Sequence, residues 1–222
     1  MAHLTDEYFN FFKELAPNNN KDWFDQNRKR YKEHVKDPFD SLVAEAIEKL
    51  NEVDNDIQCE VKDCVFRINR DIRFSKDKTP YKMNRSAVIS SGGKKRKDIP
   101  GVYFEVDCEK VRIYGGCYSP DKEQLQRIRE EIAFNLEEFD KIINEKEFKA
   151  TFGEIQGDKN ARLPKELQEA AEKQQLIYNK QLYWFAEYPP ETALQDDFTD
   201  ILAAHLSIMK PLNDFLTKPI KG

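Results

Sequence analysis

Between Cys64 and Arg85 the chain reads CVFRINRDIRFSKDKTPYKMNR, a run dense in groups that bind anions. Arg67, Arg70, Arg73, Lys76, Lys78, Lys82 and Arg85 supply cations, and Asp71, Asp77, Ser75, Thr79 and Tyr81 supply acceptors and hydroxyls. A guanidinium fork matches phosphate or carboxylate in bidentate geometry. From Arg67 to Asp98 there are eleven Lys or Arg against three Asp, a balance of +8 in a chain whose total is −5, so the remainder sums to −13. Because fields act over roughly 8 to 10 Å, this local excess points to an anionic ligand more directly than the overall charge does. The cations alternate with Phe66, Ile68, Ile72 and Phe74, unlike the blocks of charge that form solvated loops.

The expected ligand-binding set is therefore Arg67, Arg70, Asp71, Arg73, Asp77, Lys78, Tyr81 and Lys82, for a phosphorylated small molecule or nucleic acid. Gly115 and Gly116 join it, because paired glycines just before the helix start Ser119-Pro120-Asp121 would bring backbone N–H groups and a helix dipole to an anion. Two other readings stand beside this one. Asp71 and Asp77, with Glu105 and Asp107, could serve a metal-assisted phosphoesterase. Alternatively, the arginines and aspartates could form an internal network that locks the loop to the sheet in an interaction protein.

Other chemistries find no support. Phosphate-cradling and dinucleotide-binding glycine motifs, the hydrolase elbow GxSxG and the zinc motif HExxH do not occur. The cysteines, at 59, 64, 108 and 117, form neither a CxxC pair nor a set with histidine at zinc-ligand spacing. They read as structural thiols, with no metal site and no cofactor implied. His34 and His205 both fall on apolar helical stripes, where a packed histidine is expected.

The elements that must position these groups follow from periodicity. Thr5 caps a helix whose buried face is Tyr8, Phe11, Phe12 and Leu15; Asn20 caps a second, with Trp23, Phe24, Tyr31 and Val35; Asp37-Pro38 starts a third, carrying Phe39, Leu42, Val43, Ala46, Ile47 and Leu50. From Val61 to Asn69 the period changes toward 2 and predicts a strand. Ser75 to Met83 is an extended loop, Ser86 to Ser90 a short strand, and Gly92-Gly93 with KKRK a mobile turn. Gly101 to Tyr118 is a hairpin turning at Cys108 to Lys110. Ser119 then caps a helix carrying Leu125, Ile128 and Ile132, followed by a second phase from Leu136 to Ile143. Phe148 to Ile155 reads as a strand, Leu163-Pro164 opens a short helix, Gln181 to Tyr188 is a final strand, and an amphipathic helix from Phe198 is kinked or broken near Pro211.

These elements predict an α+β fold: a mostly antiparallel central sheet, an N-terminal segment of three helices and further helices covering one face. Without a linker of Gly, Ser or Pro, residues 1–222 read as a single domain. With 35% charged and 39% hydrophobic residues, and no run of the roughly 18 to 20 apolar residues a membrane span needs, the chain is expected to be soluble without a membrane partner. MAHLTDEYFNFFKEL lacks the pattern of a secretory signal, which leaves the cytoplasm as the expected location.

The run FRINRDIRFSKDKTPYKMN, with the earlier NNNKDWFDQNRKRY and the later GGCYSPDKEQLQRIREEI, resembles the domain of unknown function 2461 family of bacterial and fungal proteins. The likeness spans Phe9 to Phe215 and is weakest from Gly157 to Pro190. Its core motif falls here on Arg70, Asp71, Arg73, Phe74, Asp77, Lys78, Thr79, Pro80, Tyr81 and Lys82. The resemblance implies no activity, so no catalytic role follows from it.

Overall fold

The computed structural model describes residues 2–96 and 98–221. The N-terminal helices form where aromatic residues recur at helical spacing. Helix α1 (Asp6–Leu15) buries Tyr8, Phe9, Phe11, Phe12 and Leu15; Thr5 sits at its N-cap but makes no side-chain bond there. Asn20 does cap α2 (Lys21–Gln26), accepting the Trp23 N–H at 3.0 Å. Helix α3 (Arg28–Tyr31), a π-helical turn (Lys32–Lys36) and α4 (Asp37–Val53) follow without a break. Asp37 is therefore inside the helix, where it pairs with Lys32 at 2.7 Å, and is not the expected cap. Pro38 offers no N–H to the preceding turn, and the widened π turn accommodates that gap.

The expected strand over 61–69 is only partly realised. Val61–Cys64 closes a single helical turn, α5. The chain beyond it is extended, with isolated bridges Val65 to Ala87 and Asn69 to Tyr81, joined by Phe66 N–H to Ser86 O at 3.0 Å and Lys82 N–H to Ile68 O at 2.8 Å. The alternation of Phe66 and Ile68 thus specifies an irregular arm folded along the sheet edge. The turn after Gly92 is a 3-10 helix (Gly93–Lys95) in which Lys94 donates to Lys62 O and to Val65 O. Lys97, in the same basic run, lies outside the described residues.

Strands β1 (Arg85–Ile89), β2 (Val102–Val106), β3 (Val111–Cys117) and β4 (Leu182–Tyr188) form one antiparallel sheet in that order. Val102, Phe104, Val106, Val111, Ile113 and Trp184 face inward and are fully buried. The fold is α+β, as the periodicity predicts. The second half supplies α6 (Lys122–Phe134), α7 (Leu136–Ile143), α8 (Lys146–Phe152), α9 (Lys165–Lys173) and α10 (Phe198–Lys221).

Three details differ from the sequence reading. Asp121, not Ser119, caps α6, in a reciprocal capping box with Gln124. The expected strand at 148–155 is α8, because Glu145 accepts the Glu147 and Phe148 N–H groups and Phe148 packs on Trp184 at a ring distance of 5.3 Å. Helix α10 runs through Pro211 uninterrupted; Leu206, Met209, Leu212 and Leu216 are buried on both sides of the proline, and that packing outweighs the lost backbone bond. The buried residues form one cluster from Leu4 to Leu216 between the helices and the inner sheet face. Among the described residues no helix is long and apolar enough to cross a membrane.

His205 is packed, as its apolar stripe implies. Its Nδ1–H donates to Ile201 O and its Nε2 accepts from the Tyr188 hydroxyl, each at 2.7 Å. Burial lowers its pKa below the ordinary 6.5. The unfolded chain therefore takes up this proton first, so the associated stability is complete above pH 6.5 and declines as pH falls toward the folded value. Urea melts between pH 8 and 5 should show a loss of at most about 1.4 kcal/mol per pH unit from this group. His205→Gln, which does not titrate, should flatten it.

Candidate ligand-binding site on the open sheet face

Alternation that sends apolar residues inward sends a second set outward, and this set carries a row rich in aromatic rings. Across the strands Val88, Tyr103, Tyr114 and Phe185 form one row, and Ser86, Glu105, Arg112 and Glu187 the next. Tyr103 and Tyr114 meet at 5.4 Å, Tyr114 and Phe185 at 5.2 Å, and Phe66 reaches over from the edge arm to within 5.9 Å of Tyr103. Gly116 and Tyr183 pair further along, where Tyr183 meets Tyr118 at 5.6 Å. Phe66, Tyr103, Tyr114, Tyr118 and Tyr183, together with Lys82 and Glu105, line a cavity of about 510 Å³.

Glu105 is the polar hub of this trough. Its carboxylate accepts from the hydroxyls of Tyr103 at 2.9 Å and Tyr114 at 3.3 Å, from Arg112 at 3.4 Å and from Asn84 at 3.4 Å. Burial and the Glu105 charge push Tyr114 up to about 12, and burial pushes Tyr103 higher still. Both phenols therefore stay protonated and act as donors. Lys82 lies half-buried over the Phe66 ring at 5.4 Å. Burial, followed by the nearby charges of Arg85 and Arg67, lowers its pKa, with Glu105 opposing. A desolvated ammonium beside two guanidinium groups is a place where an anion relieves an existing electrostatic cost.

The expected site residues divide into three groups. Lys82, Gly115 and Gly116 line the trough, and exposed Arg67 lies close enough to perturb Lys82. Arg70, Asp71, Arg73, Asp77 and Lys78 instead organise their own loop. Arg70 is bonded to Asp77, to Thr79 Oγ1 and, at 3.1 Å, to Thr79 O. Arg73 forks onto Asp71 at 3.0 and 2.7 Å, and Lys78 donates to Ile72 O at 2.9 Å. The Thr79 N–H and Arg70 hold Asp77 down to about 2. Tyr81 belongs to the core: it stacks on Phe24 at 4.0 Å, while Asn19 accepts its N–H and donates to its carbonyl.

The glycines have packing reasons of their own. A Cβ on Gly115 would sit 2.5 Å from Trp184 Nε1 and 2.7 Å from Met209 Sδ. Gly116 adopts φ +109°, and a Cβ there would meet Leu182 O at 2.1 Å. The helix start beyond them is not an open anion site, because Asp121 already accepts the Glu123 and Gln124 N–H groups at 2.9 Å. Among the described residues no three His, Cys, Asp or Glu side chains gather as metal ligands, so Asp71, Asp77, Glu105 and Asp107 do not converge on one ion.

The profile of the conserved hypothetical protein family DUF2461 matches residues 7–215. The chain belongs to that family. No curated protein matches it. The RDIRFSKDKTPYK run from Arg70 to Lys82 thus folds into the self-paired loop beside the trough, and its last lysine, Lys82, lines the trough itself.

Tyr103, Tyr114, Tyr118 and Tyr183 carry no motif that marks them in the sequence. One signal was present: in the hairpin the residues alternating with the apolar face include Tyr103 and Tyr114, where an ordinary solvent face would carry Thr or Lys. Arg70→Ala should release the 71–79 loop, lowering the melting temperature by several degrees and speeding amide exchange there. Arg73→Ala should leave the melting temperature unchanged, since Arg73 is 76% exposed and its ion pair is screened by solvent. Thermal melts and hydrogen exchange of the two variants check this.

Proposed function

We propose that this protein binds a phosphorylated small molecule with a planar ring, of the nucleotide class, on the open face of its sheet. The observation that carries the reading is the half-buried Lys82 set at the edge of an aromatic trough. A flat ring gains stacking against Phe66, Tyr103 and Tyr114, and the phosphate is drawn to Lys82 and Arg67. Stacking of a base on an aromatic side chain contributes roughly 1–3 kcal/mol.

Charge distribution favours a small ligand over a nucleic acid strand. Lys82 and Arg67 stand at the Phe66 edge, whereas in the next row of the sheet Arg112 is already paired with Glu105 and Glu187, so the described residues offer no run of free cations across the face for a phosphate chain to follow. The phosphoesterase reading has less support, because Asp71 and Asp77 are each occupied by an arginine and share no site with Glu105. The structural-network reading accounts for the 70–79 loop but not for Lys82, which has no carboxylate partner among the described residues.

Isothermal titration with adenosine 5′-monophosphate, adenosine, inorganic phosphate and oligothymidylate tests this. The monophosphate should bind most tightly, at least tenfold better than adenosine or phosphate alone. Lys82→Met should remove that advantage, and Tyr114→Ala should weaken binding by about ten- to a hundredfold. Affinity should fall as pH rises through the depressed lysine pKa, below the ordinary 10.5, because the deprotonated amine no longer pairs with phosphate. Tighter binding of oligothymidylate would transfer the reading to nucleic acid, and heats absent from all four titrations would overturn it.

A further inference from the structure

Cys59 and Cys64 have their sulfurs 3.0 Å apart, closer than unbonded sulfurs ordinarily rest. Cys59 precedes α5 and is half-exposed; Cys64 ends that turn and is buried. The turn between them is held firmly. Asp63 N–H donates to Glu60 O at 2.8 Å, Val65 N–H to Val61 O at 3.0 Å, and Lys94 to the carbonyls of Lys62 and Val65. Gly93 packs so close that a Cβ there would stand 2.6 Å from Asp63 O.

The other two cysteines show what a packed thiol looks like in this chain. Cys108 donates to Phe9 O at 3.4 Å and Cys117 to Asp98 O at 3.1 Å; burial raises both, Cys117 to about 12. Neither has a thiol neighbour among the described residues. In the 59/64 pair, Cys64 donates its S–H to Cys59, which with the Ser90 N–H holds the Cys59 thiol below its ordinary value against burial. Cys64 is pushed far up by the same bond and by burial. The accessible sulfur is that of Cys59 and the enclosed one that of Cys64, the arrangement expected of an attacking thiol and its resolving partner.

We propose that Cys59 and Cys64 form a redox couple that a hydroperoxide converts into an intramolecular disulfide. The Cys59 thiolate attacks the terminal peroxide oxygen and the O–O bond breaks, giving a Cys59 sulfenic acid; the departing oxygen takes the proton that Cys59 released and leaves as an alcohol, or as water from hydrogen peroxide. The Cys64 sulfur then attacks the sulfenic sulfur, the S–S bond forms as the S–O bond breaks, and the hydroxyl leaves as water with the Cys64 proton. Two thiols lose two electrons and the peroxide gains them. Reaching a bonded separation of about 2.0 Å needs roughly 1 Å of approach. Cys64 stands two residues before Phe66, so the disulfide ties the start of the edge arm that walls the trough. The inference rests on sulfur geometry and is independent of the ligand proposed above.

The full chain, reduced, desalted and exposed to hydrogen peroxide, tests this by denatured thiol counting, intact mass and peptide mapping. The expected result is two thiols where the reduced chain has four, a loss of about 2 Da, a 59–64 cross-linked peptide, and reversal by dithiothreitol. Cys59→Ser should keep all its thiols under the same treatment. Cys64→Ser should stop at a Cys59 sulfenic acid that dimedone traps. Four thiols surviving peroxide, or a disulfide mapped to any other pair, would overturn the proposal. The wild-type chain alone decides this even if a serine variant fails to fold.

Discussion

A buried guanidinium joins the parts of this fold that the site needs. Arg85 is 4% exposed on the inner face of β1, donates to Phe66 O at 2.8 Å and lies 5.4 Å over the Phe39 ring. Asp40, at 3.7 Å, is its nearest carboxylate. Its own N–H donates to the Tyr8 hydroxyl, which passes a hydrogen bond on to Val106 O. Helix α1, helix α4, the first two strands and the edge arm thus meet around one residue. Because a buried charge deprived of its partners costs about 3–5 kcal/mol, alternative placements of the arm that would strand this guanidinium are disfavoured.

That clamp also explains how an open sheet stays defined at its edges. An unpaired edge strand is a template for association. The start of the arm meets β1 through the Val65–Ala87 bridge and the Phe66 N–H to Ser86 O bond, and a Gln156–Tyr183 bridge lies along β4. With each edge met by a bridging segment and the helices on the inner face, the outer face is the surface left for a ligand. Tyr103 and Tyr114 suit that position, since each has an apolar ring for contact and a hydroxyl that Glu105 satisfies.

Elements whose signals are local were legible in the sequence. The 102–117 hairpin, the apolar stripe of α4 and the final helix all follow from periodicity, and α+β follows from their order. What was not legible depended on contacts distant in sequence. The alternation at 64–68 looks the same whether the segment joins the sheet or lies along its edge, and the Phe66–Arg85 bond, not the pattern, decides between them. Phe148 and Phe152 are compatible with either period until Trp184 supplies a partner for the helical one. The trough was hidden for the same reason, since Phe66, the Tyr103 and Tyr114 hairpin and Tyr183 come from three separate stretches of chain.

The basic run shows how charge counting can find a neighbourhood without finding the site. Its excess of +8 invites one large anion-binding surface, yet most of its cations are committed locally. Arg70 and Arg73 are paired with Asp77 and Asp71, Arg96 with Asp98, Lys78 and Lys94 with carbonyls, and Arg85 is buried. Arg67, Lys76, Lys82 and Lys95 have no carboxylate partner among the described residues; Lys82 lines the trough, and Arg67 lies close enough to perturb it. A charge compensated at contact distance projects little field beyond a Debye length, whereas an uncompensated one beside a low-dielectric wall projects strongly into the cavity it faces. The paired arginines therefore shape the loop, and the unpaired cations beside the aromatic rings set what the cavity attracts.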